Sequence, residues 1–245
     1  MHGRLTVATA WRVLRQLSHD PRTLALLFVV PCVLLGLLAW VYSSTPIVFD
    51  HIGGPLLAVF PFVVMFLITS IATLRERSSG TLERLLTMPI GKLDILLGYA
   101  LTFGALAILQ ATIASFLAVH AYGLHVAGPE WALVTVALAD ALLGTALGLF
   151  VSAFAGTEFQ AVQFLPAFIF PQFLLCGLLV PLSQLPVVLH RIADALPLTY
   201  AVDAMSRVSA EPTVSAHTYR DITVVLGFAL AAVLLGAATL RRQTK

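Results

Sequence analysis

Charge is scarce in this sequence: 14 basic and 12 acidic residues make up 11% of 245, where a soluble domain carries about a quarter. Too few ionisable groups remain to cover a water-facing surface or to build a basic face for nucleic acid. Cysteine is almost missing as well. Cys32 and Cys176 sit inside apolar runs and read as small core residues, which excludes a disulfide framework or a cysteine-built zinc site. No Gly-x-x-x-x-Gly-Lys-Ser/Thr loop occurs, so the chain binds no nucleotide by that route, and any ATP is expected on a separate subunit. No paired carboxylates and no Ser/His/Asp set argue for catalysis. His51, His120 and His125 have a spacing that fits no strong metal site, so no metal is expected. Residues 1–22 contain no continuous apolar core ahead of a small-residue cleavage site, so no signal peptide is expected.

What is present instead is apolar sequence, 59% of the chain, with a mean hydropathy of +0.96. About 20 apolar residues cross a bilayer as a helix. Uncharged stretches at 24–42, 56–74, 95–119, 131–155, 162–180 and 222–240 therefore predict six transmembrane helices, in one all-α membrane domain over residues 1–245. Pro31 should kink the first. Pro166, Pro171, Pro181 and Pro186 should interrupt the apolar region around the fifth. Over residues 4–20, Arg12, Arg15, Gln16 and His19 share a polar face while Val7, Trp11, Leu14 and Leu17 line another, the pattern of a helix lying at the headgroups. The plainer alternative is a charged flank of the first span.

Eleven of the 14 basic residues fall at the N-terminus, between spans two and three, and in the tail, against Arg191, Arg207 and Arg220 elsewhere. The richer side is expected in the cytosol, with both termini there, which requires an even number of spans. The external stretch 181–220 is patterned too. Leu185, Val188, Leu189, Ile192 and Leu196 recur at helical spacing, Pro197 breaks that helix, and 199–205 can form another. A re-entrant pair of short helices is expected, with a solvated amphipathic loop as the alternative.

The segment 75–92 is the richest in signals: Arg75-Glu76-Arg77-Ser78-Ser79-Gly80-Thr81-Leu82-Glu83-Arg84-Leu85-Leu86-Thr87-Met88-Pro89-Ile90. Gly80 can end one helix, Thr81 can cap a two-turn helix, and Pro89 can stop it. Leu82, Leu85 and Leu86 then form an apolar face, with Glu83, Arg84, Arg75, Glu76 and Arg77 as a charged rim. A docking surface has that composition, and so does a turn held at the membrane surface.

This run resembles the cytosolic signature of ABC-2 type permeases, the membrane subunits of type V ABC exporters such as the daunorubicin-resistance and nodulation-factor export permeases. Residue types, spacing and place between spans two and three coincide. The stretch Pro181-Leu-Ser-Gln-Leu-Pro186, followed by Leu196-Pro-Leu-Thr-Tyr-Ala-Val-Asp-Ala-Met205, is similar to the family's segment after span five. The family usually ends that segment with Arg, where this chain has Met205-Ser206-Arg207. The resemblance implies a dimer of six-span subunits, the second permease identical or homologous, and two copies of an ABC ATPase subunit carrying ATP and Mg. It places ATPase docking on Arg75, Glu76, Arg77, Gly80, Thr81, Leu82, Glu83, Arg84, Leu85 and Pro89. The substrates it implies are amphipathic drugs, lipids, glycolipids and polysaccharides.

Asp140 lies in the middle of span four, where a charge costs at least about 2.5–3.5 kcal/mol, so it should face a partner or water and not lipid. Two roles fit, a packing or dimer-interface hydrogen bond and contact with substrate or a proton. Gly144 and Gly148 beside it follow the Gly-x-x-x-Gly spacing of close helix contact. Glu158, after span four, suits a helix cap or an ATPase contact. Phe60 and Phe66 in span two, with Phe168 and Phe173 in span five, are candidates with Asp140 for a translocation path; lipid-facing or packing roles are the alternative. The rival functional class is an intramembrane lipid-modifying enzyme, which would need ionisable residues clustered at one depth, and Asp140 stands nearly alone.

Overall fold

The computed structural model describes residues 3–79 and 92–239, and among these every regular element is helical. In chain order they are α1 (Gly3–Ser18), α2 (Pro21–Val41), α3 (Pro46–Ser78), α4 (Lys92–Phe116), α5 (Glu130–Ser152), α6 (Glu158–Leu175), α7 (Val187–Asp194), α8 (Pro197–Ala210) and α9 (Ala216–Thr239). A π-turn, Leu117–Ala121, extends α4, and a short 3₁₀ turn, Leu182–Gln184, precedes α7. Five of the helices, α2, α3, α4 (with its π-turn), α5 and α9, are long and apolar enough to cross a membrane. The chain is a multi-pass all-α membrane protein.

The expected fifth span is α6. It has 18 residues, fewer than any of those five, and carries Glu158, three glutamines and two prolines. At about 1.5 Å per residue it reaches roughly 27 Å, close to the thickness of a hydrocarbon core.

Helices α3 and α5 form the centre. Both have 67% of their most apolar stretch buried, against 22% for α2 and α9 at the periphery. Gly144 and Gly148 of α5 lie against the Phe62 and Phe66 carbonyls of α3. A Cβ at Gly148 would come within 2.6 Å of the Phe66 oxygen, so only glycine permits this approach.

The second span differs from expectation. Its uncharged stretch predicts a start near residue 56, yet α3 begins at Pro46 and runs for 33 residues, about 50 Å. Pro55 and Pro61 are carried inside it. Gly53 and Gly54 serve packing, Gly53 lying against Leu124 and Gly54 against Ser209 of α8.

Two short helices follow α6, as the pattern in 181–220 predicts, and they sit differently. Helix α7 exposes Val187, Val188, Leu189 and Ile192 and buries only Ala193. Helix α8 reaches beyond the expected 199–205 because Pro197 starts it and Pro212 follows its end. It buries Leu198, Ala201, Val202, Ala204, Met205 and Val208 against α3, α5 and α9. The amides of Ala127 and Gly128 donate to the Ser209 and Val208 carbonyls, both at 3.0 Å, so the orphaned end of α8 is satisfied by the loop before α5.

The N-terminal helix packs with a face other than the one its sequence suggests. Thr6, Thr9, Val13 and Leu17 are buried, chiefly against α4, where Gly98 admits Thr9 and Thr102 Oγ1 donates to the Ala10 carbonyl (2.8 Å). Val7 and Trp11 are exposed, as suits headgroup contact, but Leu17 belongs to the protein-facing stripe.

Candidate functional site

Helix α3 carries its charged C-terminal turn past the apolar part of the bundle, and each of its three charges is tied to a different neighbour. Glu76, 4% exposed, accepts two hydrogen bonds from the Arg12 guanidinium of α1 (3.2 and 2.9 Å) and one from the Tyr99 hydroxyl of α4. Arg75 forks onto Glu158 at the start of α6 (2.7 and 3.2 Å) and faces Asp20, before α2, at 3.9 Å. Arg77 donates to the Ser152 carbonyl at the end of α5, one of the four carbonyls a helix leaves unpaired. The end of α3 is thus fastened to α1, α4, α5 and α6, immediately before residue 80.

The chemistry of these contacts is electrostatic. The Arg75 hydrogen bonds hold the Glu158 carboxyl below the usual carboxylate range, and hydrogen bonds from Thr23 do the same for Asp20, which caps α2. Both remain ionised at neutral pH. The Arg75–Glu158 pair is half exposed and worth no more than roughly 0.2–1 kcal/mol. Glu76 is different: it is sealed from water, and loss of its cation leaves a buried charge.

Of the expected docking residues, Arg75, Glu76 and Arg77 are therefore together at one end of the bundle. Gly80, Thr81, Leu82, Glu83, Arg84, Leu85 and Pro89 lie outside the described residues.

The expected path residues are dispersed. Phe66 is fully buried in the cluster that also holds Phe62, Leu143 and Val151. Phe60 is half-buried and packs against a neighbouring cluster with Leu57 and Leu133. Phe173 is half-buried between the two clusters, and Phe168 is 41% exposed, edge-on to Phe164 at 6.0 Å between centroids. Asp140 is fully buried in α5 and avoids lipid as expected, but neither carboxyl oxygen has a hydrogen-bond partner among the described residues. Among the described residues no packing hydrogen bond reaches it.

Two polar clasps escaped the sequence reading. Pro31 has no N–H, so the Leu27 carbonyl of α2 loses its helical partner, and Gln110 Nε2 of α4 donates to it at 2.8 Å. Gln172 of α6 accepts from the Leu198 amide of α8 at 3.4 Å, near the open N-terminus that Pro197 creates. A buried glutamine in a span was the available signal, but nothing in the sequence says which carbonyl it meets. His125 pairs with Asp50 at 3.5 Å, and no group of three metal-ligating side chains exists among the described residues.

The ABC-2 type transporter family profile matches residues 4–208. Among curated proteins, the chain is 25% identical over 200 residues to ABC transporter G family member 20 of Dictyostelium discoideum, an alignment covering 80% of the chain and 27% of that protein. It is 28% identical over 153 residues to the "Probable multidrug ABC transporter permease YbhR" of Escherichia coli K12, covering 62% and 42%. It is 25% identical over 181 residues to the linearmycin resistance permease LnrN of Bacillus subtilis, covering 74% and 47%. The chain spans less than half the length of each of these relatives.

Proposed function

The chain belongs to the ABC-2 type transporter family, and from that membership we propose that it is the permease subunit of an ATP-driven exporter moving an amphipathic drug, lipid or glycolipid outward across the cytoplasmic membrane. It works beside a second permease, identical or homologous, and two copies of a separate ABC ATPase subunit bind and hydrolyse ATP with Mg. Both termini and the segment 75–92 face the cytosol, and six helices, α6 included, cross the bilayer.

The observation that carries this reading is the fastening of Arg75, Glu76 and Arg77. A force applied by an ATPase at residues 80–91 reaches α1, α4, α5 and α6 together, because the end of α3 holds all four. Nucleotide then changes the membrane part by binding its two conformations with different affinity, so that a path opens alternately to each side. The apolar side chains exposed on α2 and α6, including Val33, Leu37, Phe170 and Leu174, are expected to meet the second permease or lipid. The resistance and multidrug names of two relatives support an amphipathic substrate.

The test is assembly. The double variant Glu83→Lys with Leu85→Asp is expected to strip the ATPase subunit from the purified complex and abolish substrate-stimulated ATP hydrolysis, while the permease still inserts and melts normally. A complex that keeps its ATPase and its stimulation would reduce the segment to a surface turn.

A further inference from the structure

A crevice of about 280 Å³ lies between α1, the first half of α2, the second half of α3 and α4. It is about twice the ~150 Å³ that lodges a benzene in a protein core. Leu17, Leu26, Val30, Leu67, Ile68 and Ile71 make its walls, with Tyr99 and Phe103 also lining it. Its charged groups, Asp20, Arg75 and Glu76, all lie toward the end of the bundle that carries α1.

Length identifies the occupant. The lining runs from Asp20 to Val30 along α2 and from Val64 to Glu76 along α3, which at about 1.5 Å per residue is roughly 15 and 18 Å. Half of a hydrocarbon core is about 15 Å. The crevice therefore has the depth of half a hydrocarbon core, the reach of one acyl chain in one leaflet. Leu26, 56% exposed, sits on its rim and leaves the side toward lipid open.

Charge identifies the headgroup. Arg75 commits Nε and Nη2 to Glu158, but among the described residues its Nη1 has only Asp20, at 3.9 Å, beyond hydrogen-bond length. Glu76 is already engaged by Arg12 and Tyr99. One cation and one carboxylate, both partly exposed and only loosely joined, thus flank the entrance. A headgroup bearing a phosphate and an ammonium matches both, whereas a purely anionic one meets Asp20 unfavourably.

We propose that this crevice is a binding site for one zwitterionic aminophospholipid, an acyl chain along α2 and α3, its phosphate at Arg75 and its ammonium at Asp20. The site needs only that the chain is embedded in a bilayer and is independent of the direction or cargo of transport.

The experiment places a photoreactive residue at Leu26, and as a control at Leu230 on the exposed face of α9, in the full chain reconstituted into nanodiscs of equimolar phosphatidylethanolamine and phosphatidylglycerol. Mass spectrometry after illumination is expected to show phosphatidylethanolamine adducts favoured at least fivefold at Leu26 and no preference at Leu230. Asp20→Ser keeps a capping oxygen but removes the charge, and it should erase the preference. Ala72→Phe fills the crevice and should reduce lipid adducts at Leu26 at least tenfold; if that variant does not fold, the Asp20→Ser comparison decides. Equal ratios at the two positions, adducts to a second copy of the chain, or a preference that survives Asp20→Ser would overturn the proposal.

Discussion

Asp140 is the residue whose setting most constrains its behaviour. A carboxyl that is fully buried, with neither oxygen hydrogen-bonded among the described residues, forfeits its hydration without compensation, a cost of about 1–3 kcal/mol or more. Replacing it should therefore stabilise the isolated protomer. Asp140→Ala is expected to raise the melting temperature of the detergent-solubilised chain, and a stable variant that no longer exports would assign the carboxyl to transport, since function is where destabilising groups are retained. A lower melting temperature would instead show that the buried carboxyl stabilises the folded chain. Glu76 shows the opposite situation, a buried carboxylate with Arg12 and Tyr99 both on it. The sequence placed Glu76 on the rim of a docking surface; burial makes it a structural anchor, because its two partners come from α1 and α4, 64 residues before it and 23 after.

At the scale of elements, the bundle is held by a few polar clasps set into apolar packing, and the one at Pro31 can be tested by itself. The Leu27 carbonyl has Gln110 because it lacks the N–H of residue 31. Gln110→Leu strands that carbonyl and is expected to lower stability by about 1–3 kcal/mol. Pro31→Ala returns a helical donor, so in the Pro31→Ala background the same Gln110→Leu change should cost much less. Thermal melting of the four proteins forms a double-mutant cycle; additive effects would show that the clasp contributes nothing. Helix existence was legible throughout, since long uncharged stretches locate α2, α3, α4, α5 and α9. Boundaries were legible only where a proline or a charge coincided with an end. Helix α3 begins ten residues before the expected 56, and its extra turns pack, with Gly53 against Leu124 and Gly54 against Ser209.

For the whole molecule, the distribution of basic residues carries a prediction about topology. Ser79 lies at the basic end of α3 and Thr213 in the exposed turn between α8 and α9. In intact cells, a cysteine at Ser79 should be protected from an impermeant maleimide and one at Thr213 labelled, whereas equal reactivity would refute the six-span arrangement. What the sequence by itself determined is that this is a helical membrane protein, because hydropathy is local and a run of about 20 apolar residues is its own evidence. The resemblance to ABC-2 permeases was also readable there, and the family profile bears it out over residues 4–208. Only the tertiary structure decided which stripe of each helix faces protein. In a bilayer both lipid and protein interior are apolar, so composition does not separate an exposed Phe168 from a buried Phe66. It decided likewise that Arg75, Glu76 and Arg77 reach four different helices, and that α1, α2, α3 and α4 leave a crevice between them. Such pairings join residues tens of positions apart, and a sequence read along its length has no term for that distance.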